Sequence, residues 1–273
     1  MSIVILIILG VVSAVIGAIV GIGGGIIIVP TLIYLRMEAG ILEGITPQKA
    51  IGTSTVILIS TGLSATIGYV KAQQVDLKSG ALFLGGIVPG ALVGAYLSQY
   101  LTLDSFNLYF GIFLIFISIV LMIRNKIKPI KFFQNQKHER IFIDTTGEKH
   151  HYSIAPIPAI IATFFVGCLT GLFGIGGGAL MTPLMIIIFR FPPHIAVGTS
   201  MLMIFFSSLS GAVSHIAQGN VIWHYAVILI IASYIGAKIG VQINKRMKSD
   251  TVMLLLRSIM LLLGLYLIIK SQL

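Results

Sequence analysis

The chain holds a single cysteine, Cys168, set in an apolar stretch. One thiol cannot close a disulfide within the chain, ligate an iron–sulfur cluster or complete a structural zinc site, so Cys168 reads as a small core residue. Acidic residues are almost as scarce. All eight (Glu38, Glu43, Asp76, Asp104, Glu139, Asp144, Glu148 and Asp250) fall in loops or at the ends of apolar segments. The membrane part is therefore expected to contain no buried carboxylate that holds a cation or relays a proton, which argues against a cation exchanger or a carboxylate-driven proton pump. Charge of either sign is low, at 10% of 273 residues, and 57% are hydrophobic; soluble domains carry about 25% charged residues. That balance excludes a soluble globular protein and describes an all-α polytopic membrane protein. The first 22 residues lack the basic start of a secretory signal and have a counterpart in the second half, so they are expected to be mature structure.

What the chain has in excess is glycine, placed where it breaks helices. The stretch "AIVGIGGGIIIVP" (18–30) nearly recurs as "GLFGIGGGALMTP" (171–183). A slide of 153 positions lays Gly21, Gly23, Gly24, Gly25 and Pro30 onto Gly174, Gly176, Gly177, Gly178 and Pro183. A slide of 146 lays Pro47, Ala50, Gly52, Thr53 and Ser54 onto Pro193, Ala196, Gly198, Thr199 and Ser200, and Gly90, Gly94 and Asp104 onto Gly236, Gly240 and Asp250. The chain thus divides into a first transmembrane repeat (1–123), a basic linker (124–155) and a second repeat (156–273).

Apolar segments fall at 3–36, 47–70, 78–98 and 104–123, then at 156–190, 193–216, 222–243 and 251–269. Six have ordinary spanning length, about 20 residues. The first of each set is too long for one crossing, and its glycine cluster divides it into a longer and a shorter arm. Each repeat is thus a glycine-broken first segment plus three spanning helices, 8 to 10 segments in total. Whether the short arm crosses or turns back, the number of crossings per repeat is odd, so the two repeats are expected to have inverted topology. Basic residues agree. With the N-terminus outside, Lys71, Lys78, the cluster from Arg124 to Lys149, Arg190 and the cluster from Lys245 to Lys248 lie inside, and only Arg36, Lys49 and Lys270 lie outside. The net charge of +10 is then a topology signal and requires no nucleic-acid partner.

In hydrocarbon an unpaired backbone N–H or C=O costs several kcal/mol, so irregular backbone at membrane depth persists only inside protein or beside a watery cavity. Broken helices at matching positions of two repeats point to a transporter's central site. The helix restarting after each break offers N–H groups without intrahelical acceptors, and its dipole favours an anion. Gly21, Gly23, Gly24, Gly25, Gly174, Gly176, Gly177 and Gly178 are therefore candidate substrate contacts. Gly86, Gly90 and Gly94, like Gly236 and Gly240, follow the four-residue spacing of close helix packing instead. Gly174, Gly176 and Ala179 fit G-x-G-x-x-A, but no βαβ unit surrounds them, so no dinucleotide site is expected.

Thr46-Pro47 and Pro192-Pro193 mark helix starts. Thr53, Ser54, Thr199 and Ser200 lie about 10 Å further along and pair by the repeat, which makes them further candidate contacts. Ser64 and Ser210 are expected to bond a nearby carbonyl. Lys238 and Arg257 fall inside apolar segments near their ends and are expected to snorkel to an interface. His215 and His224 are expected at the interface. The linker's "IFIDTTGEKHHYSI" (141–154) predicts a small hairpin, its histidines lack metal-ligand spacing, and its Lys/Arg run suits anionic lipid headgroups. No catalytic residue set, metal site or cofactor is expected.

Two G-x-G-G-G-x-x-x-x-P-type elements, each followed by an A-x-G-T-S helix start, make nearly the whole chain resemble the sulfite exporter TauE/SafE family of membrane transporters. The resemblance implies a multi-pass protein of the bacterial inner membrane that moves sulfite or another small organosulfur anion. It also implies that the two glycine clusters, with Thr53-Ser54 and Thr199-Ser200, match the family pattern. The residues themselves point to a secondary transporter working by alternating access. An anion channel is the alternative, and an intramembrane enzyme is a weaker one because no buried acid, metal cluster or Ser/His/Asp set is in view.

Overall fold

The structure, a computed structural model, describes residues 2–37, 44–100, most of 108–122, 139–143 and 149–271. Four helices come first: α1 (Ser2–Val20), α2 (Gly25–Met37), α3 (Pro47–Lys71) and α4 (Leu77–Leu97). A hairpin of β1 (Glu139–Ile143) and β2 (Lys149–Ser153) follows, then α5 (Pro156–Phe173), α6 (Gly178–Ile187), α7 (Pro193–Ala217), α8 (Trp223–Asn244) and α9 (Ser249–Ser271). Among the described residues seven helices are long and apolar enough to cross a membrane, α2 and α6 being the shorter apolar pair. The described residues between 108 and 122 are also helical. The chain is thus an all-α polytopic membrane protein carrying one small hairpin. That hairpin pairs antiparallel with Glu139 opposite Ser153 and Ile143 opposite Lys149. The basic run from Arg124 to Lys137 lies outside the described residues.

The helix boundaries follow from local chemistry. Thr46 caps α3 by accepting the Lys49 N–H, with Pro47 in the first turn where its missing N–H is harmless. Pro193 likewise stands in the first turn of α7, whose N-cap residue, Pro192, makes no side-chain cap bond. Gly174 ends α5 in the left-handed conformation, which supplies a helix stop inside an otherwise unbroken apolar run.

Packing follows the glycines. A Cβ on Gly90 or Gly94 of α4 would run into the carbonyl oxygens of Phe164 or Cys168 of α5, and one on Gly236 or Gly240 of α8 would lie 2.5 Å from those of Val11 or Val15 of α1. Only glycine allows these backbones to touch, as the four-residue spacing predicts. The residue numbers rise together in both pairs, so α4 runs parallel to α5 and α1 parallel to α8. The contacts are also reciprocal: the first helix of each repeat lies against the fourth helix of the other.

At the centre stand α3 and α7, with 83% and 78% of their spans buried, against 33% for α9. Gly52 of α3 meets Asn220 just beyond α7, and Gly198 of α7 meets Gln74 just beyond α3. These two helices therefore run antiparallel. Ser64 donates to the Tyr234 carbonyl and Ser210 to the Val88 carbonyl, both 2.8 Å, which ties each central helix to the fourth helix of the other repeat.

Candidate functional site

Both glycine clusters fold into left-handed turns. Gly21, Gly23 and Gly24 have φ of +79°, +82° and +91°, and Gly174, Gly176 and Gly177 have +67°, +74° and +69°. L-residues with a Cβ avoid this region, so three such positions within one turn call for glycine. The turn doubles the chain back: a Cβ on Gly24 would sit 2.6 Å from the Ser13 carbonyl oxygen of α1.

The two turns touch each other. A Cβ on Gly25 would lie 2.7 Å from the Gly174 oxygen, and one on Gly178 would strike the Gly21 oxygen. Equivalent segments of the two halves thus contact each other reciprocally. Every residue from Gly21 to Ile26 and from Gly174 to Leu180 is buried.

The hydroxyls about two turns into α3 and α7 cross between repeats. Ser54 donates to the Gly174 carbonyl at 3.0 Å, and Ser200 donates to the Gly21 carbonyl at 2.8 Å. Thr182 of α6 adds a second bond to Gly21 O at 2.8 Å. Thr53 and Thr199 bind elsewhere: Thr53 Oγ1 accepts the Ile222 N–H and Thr199 Oγ1 accepts the Asp76 N–H, each at 3.0 Å, at the starts of α8 and α4. The pattern repeats once more where the Tyr69 hydroxyl donates to the Ala18 carbonyl at 2.8 Å and His215 Nε2 lies 3.4 Å from the Gly171 carbonyl.

The Gly21 and Gly174 carbonyls are thus served, while among the described residues part of the turn amides and the carbonyls of Ile22, Gly23 and Ile175 are not. Gly17 O collects the N–H groups of Gly21, Ile22 and Gly23, and Gly24 O those of Ile27 and Ile28. Gly177 O collects those of Leu180 and Met181. Among the described residues, the amides of Gly24 and Ile26, and those of Gly177 and Ala179, take part in none of these bonds. These are the first-turn donors of α2 and α6, the positive ends of two short helices. With Gly21 O and Gly174 O bonded by hydroxyls, these amides at the two helix starts are the donors left at the turns.

Leu58 of α3 and Ile204 of α7, both fully buried, complete the centre. The Cβ positions of Gly23 and Gly176 each lie 2.7 to 3.3 Å from atoms of these two side chains. An aliphatic residue in an aliphatic helix carries no individual signal; only the 146-residue slide, which superposes Leu58 on Ile204, marks the pair.

Two expectations need correction. Asp76 sits at a segment end, but it is buried, with 7% of its surface exposed. It caps α4 by accepting the Lys78 and Ser79 N–H groups on Oδ1, while the Ser79 and Tyr152 hydroxyls donate to Oδ2 at 2.5 Å. Four donors hold the carboxylate without a cation, and Tyr152 of β2, stacked 4.1 Å from the Phe191 ring, covers it. His215 is fully buried rather than interfacial, because it reaches under α5 toward Gly171.

Comparisons with known proteins agree with this architecture. A family model described as sulfite exporter TauE/SafE matches residues 6–267. The chain is 45% identical over 274 residues to the probable membrane transporter protein YunE of Bacillus subtilis, covering 99% of each chain. It is 27% identical to the probable membrane transporter protein MJ0441 of Methanocaldococcus jannaschii, over 97% of this chain and 94% of that one. Against the probable membrane transporter protein YfcA of Escherichia coli K12, identity is 23% over 80% of this chain and 72% of the relative. No solved structure matches the chain significantly.

Proposed function

The chain belongs to the sulfite exporter TauE/SafE family of membrane transporters, and from that premise we propose that it is a secondary carrier for a small oxyanion, sulfite or an organosulfur anion. It works in the bacterial inner membrane, its two repeats are inverted copies, and the anion binds where their glycine turns meet.

The observation that carries this reading is the pair of facing helix starts: the amides of Gly24, Ile26, Gly177 and Ala179 head two short helices without a backbone partner among the described residues, beside Gly21 and Gly174 carbonyls that already accept hydroxyls. One helix end contributes about 0.3–2 kcal/mol toward an anion. Two touching turns with two such amides each supply directed donors that replace part of its water shell. The absence of a Cβ lets an oxyanion reach the backbone directly.

The antiparallel course of α3 and α7 and the reciprocal contacts between repeats support inversion. Burial of the turns supports an occluded conformation, with Leu58 and Ile204 as its apolar seal. Rocking one set of helices against the other then parts that seal toward one face at a time.

The test is counterflow in proteoliposomes with sulfite, thiosulfate, sulfoacetate, taurine and sulfur-free carboxylates. A carrier gives saturable counterflow for at least one sulfur oxyanion. Linear, voltage-driven conductance without counterflow contradicts the carrier and fits a channel.

A further inference from the structure

Away from the turns, a cavity of about 270 Å³ opens between α3 and α8. Its lining includes Lys71, Lys238 and Lys245, with Tyr234, Gln242 and Ser64 beside them. The Ser60 and Ser64 hydroxyls donate to the Ile230 and Tyr234 carbonyls, so α3 and α8 run parallel here and bring Lys71 and Lys245, at their C-terminal ends, to the same side. All three lysines are exposed, and among the described residues none is paired with a carboxylate.

Lys238 is the unusual member. It lies two helical turns before Lys245, about 10 Å deeper at 1.5 Å per residue, on a face whose other members, Tyr234, Ile235 and Ile239, are exposed at 43%, 52% and 43%. In a spanning helix those side chains face lipid, and an ammonium that reaches toward the interface from among them is stabilised by a counter-charge there. The repeat provides an internal control. At the positions equivalent to Lys71, Lys238 and Lys245 the other repeat carries Ala217, Leu92 and Gln99. The three lysines thus belong to one side of the repeat alone.

We propose that this groove binds an anionic phospholipid, its phosphodiester held by Lys71, Lys238 and Lys245 and its acyl chains lying along the exposed apolar flank of Ile67, Ile235 and Ile239. A phosphodiester supplies the negative charge that three ammoniums share. The apolar flank distinguishes a lipid from free phosphate, which gains nothing from such a wall. Basic pockets between spanning helices on the face rich in Lys and Arg are suited to this headgroup chemistry. The inference does not depend on the transported anion, since the groove lies outside the glycine turns.

Native mass spectrometry of the full chain in detergent tests it, with phosphatidylglycerol and phosphatidylcholine of matched acyl chains offered separately and inorganic phosphate offered as a competitor. The protein is expected to retain phosphatidylglycerol at concentrations where phosphatidylcholine is lost. The triple variant Lys71→Gln/Lys238→Gln/Lys245→Gln is expected to weaken that retention on the order of a hundredfold, from about 1 kcal/mol per Lys near an anionic surface. A control triple at exposed positions, Lys78→Gln/Arg246→Gln/Lys248→Gln, is expected to leave it unchanged. If the first triple does not fold, Lys238→Gln alone is expected to lose about fivefold. Equal retention by wild type and the folded Lys variant, or equal retention of the two lipids, overturns the proposal. Displacement of phosphatidylglycerol by millimolar inorganic phosphate overturns it in favour of a free-anion site.

Discussion

Gly24 and Gly44 share a positive φ, +91° and +71°, but not their surroundings. A Cβ on Gly24 would stand 2.6 Å from the Ser13 oxygen, while nothing lies within 4 Å of one on Gly44. Gly44→Ala is expected to cost only the left-handed penalty of about 1–2 kcal/mol, and Gly24→Ala that plus a backbone displacement that disturbs the turn. Thermal melts in detergent, read beside counterflow rates, check this; equal losses in the two variants would rule out the tight turn described here. The serines give a finer comparison. Gly174 O depends on Ser54 alone among the hydroxyls, whereas Gly21 O has both Ser200 and Thr182. Ser54→Ala is expected to destabilise by about 1–3 kcal/mol, the cost of an unsatisfied buried carbonyl, and Ser200→Ala by less. At this scale the doubled glycines and Ser54 with Ser200 were legible, since each appears twice in register. The Thr182 bond was not, because its counterpart is Val29.

Between elements, stability rests on backbone approach. On α4, Gly94 would put a Cβ into the Cys168 carbonyl, whereas the nearest atoms to one on Gly85 are those of Ile160 at 4.0 Å. Gly94→Ala is expected to prevent folding in the membrane and Gly85→Ala to be tolerated, as judged by the monodisperse fraction in size-exclusion chromatography. Comparable yields for both would contradict the α4–α5 contact. The breaks in the first segments, the proline helix starts and the packing glycines were all readable from spacing. Burial at segment ends was not. Asp76 is covered by Tyr152, more than 70 residues away in sequence, and by aromatic rings that no local pattern connects to it.

For the whole molecule, inversion makes a directional prediction. Gln73 and Gly219 occupy equivalent exposed turns, after α3 and after α7. In a Cys168→Ser background, Gln73→Cys and Gly219→Cys are expected to react with an impermeant maleimide from opposite faces of oriented vesicles. Labelling of both from one face contradicts inverted repeats. The sequence predicts inversion only through parity and charge bias, and neither reports which helices touch; the exchange of first and fourth helices between repeats appears only in the packing. The most direct measurement of the central claim is an anomalous difference map from crystals soaked in selenite, the heavier analogue of sulfite. The account predicts a selenium peak within hydrogen-bonding reach of the Gly24 and Gly177 amides. Selenium ordered only elsewhere, with both turns closed as they are here, would contradict it.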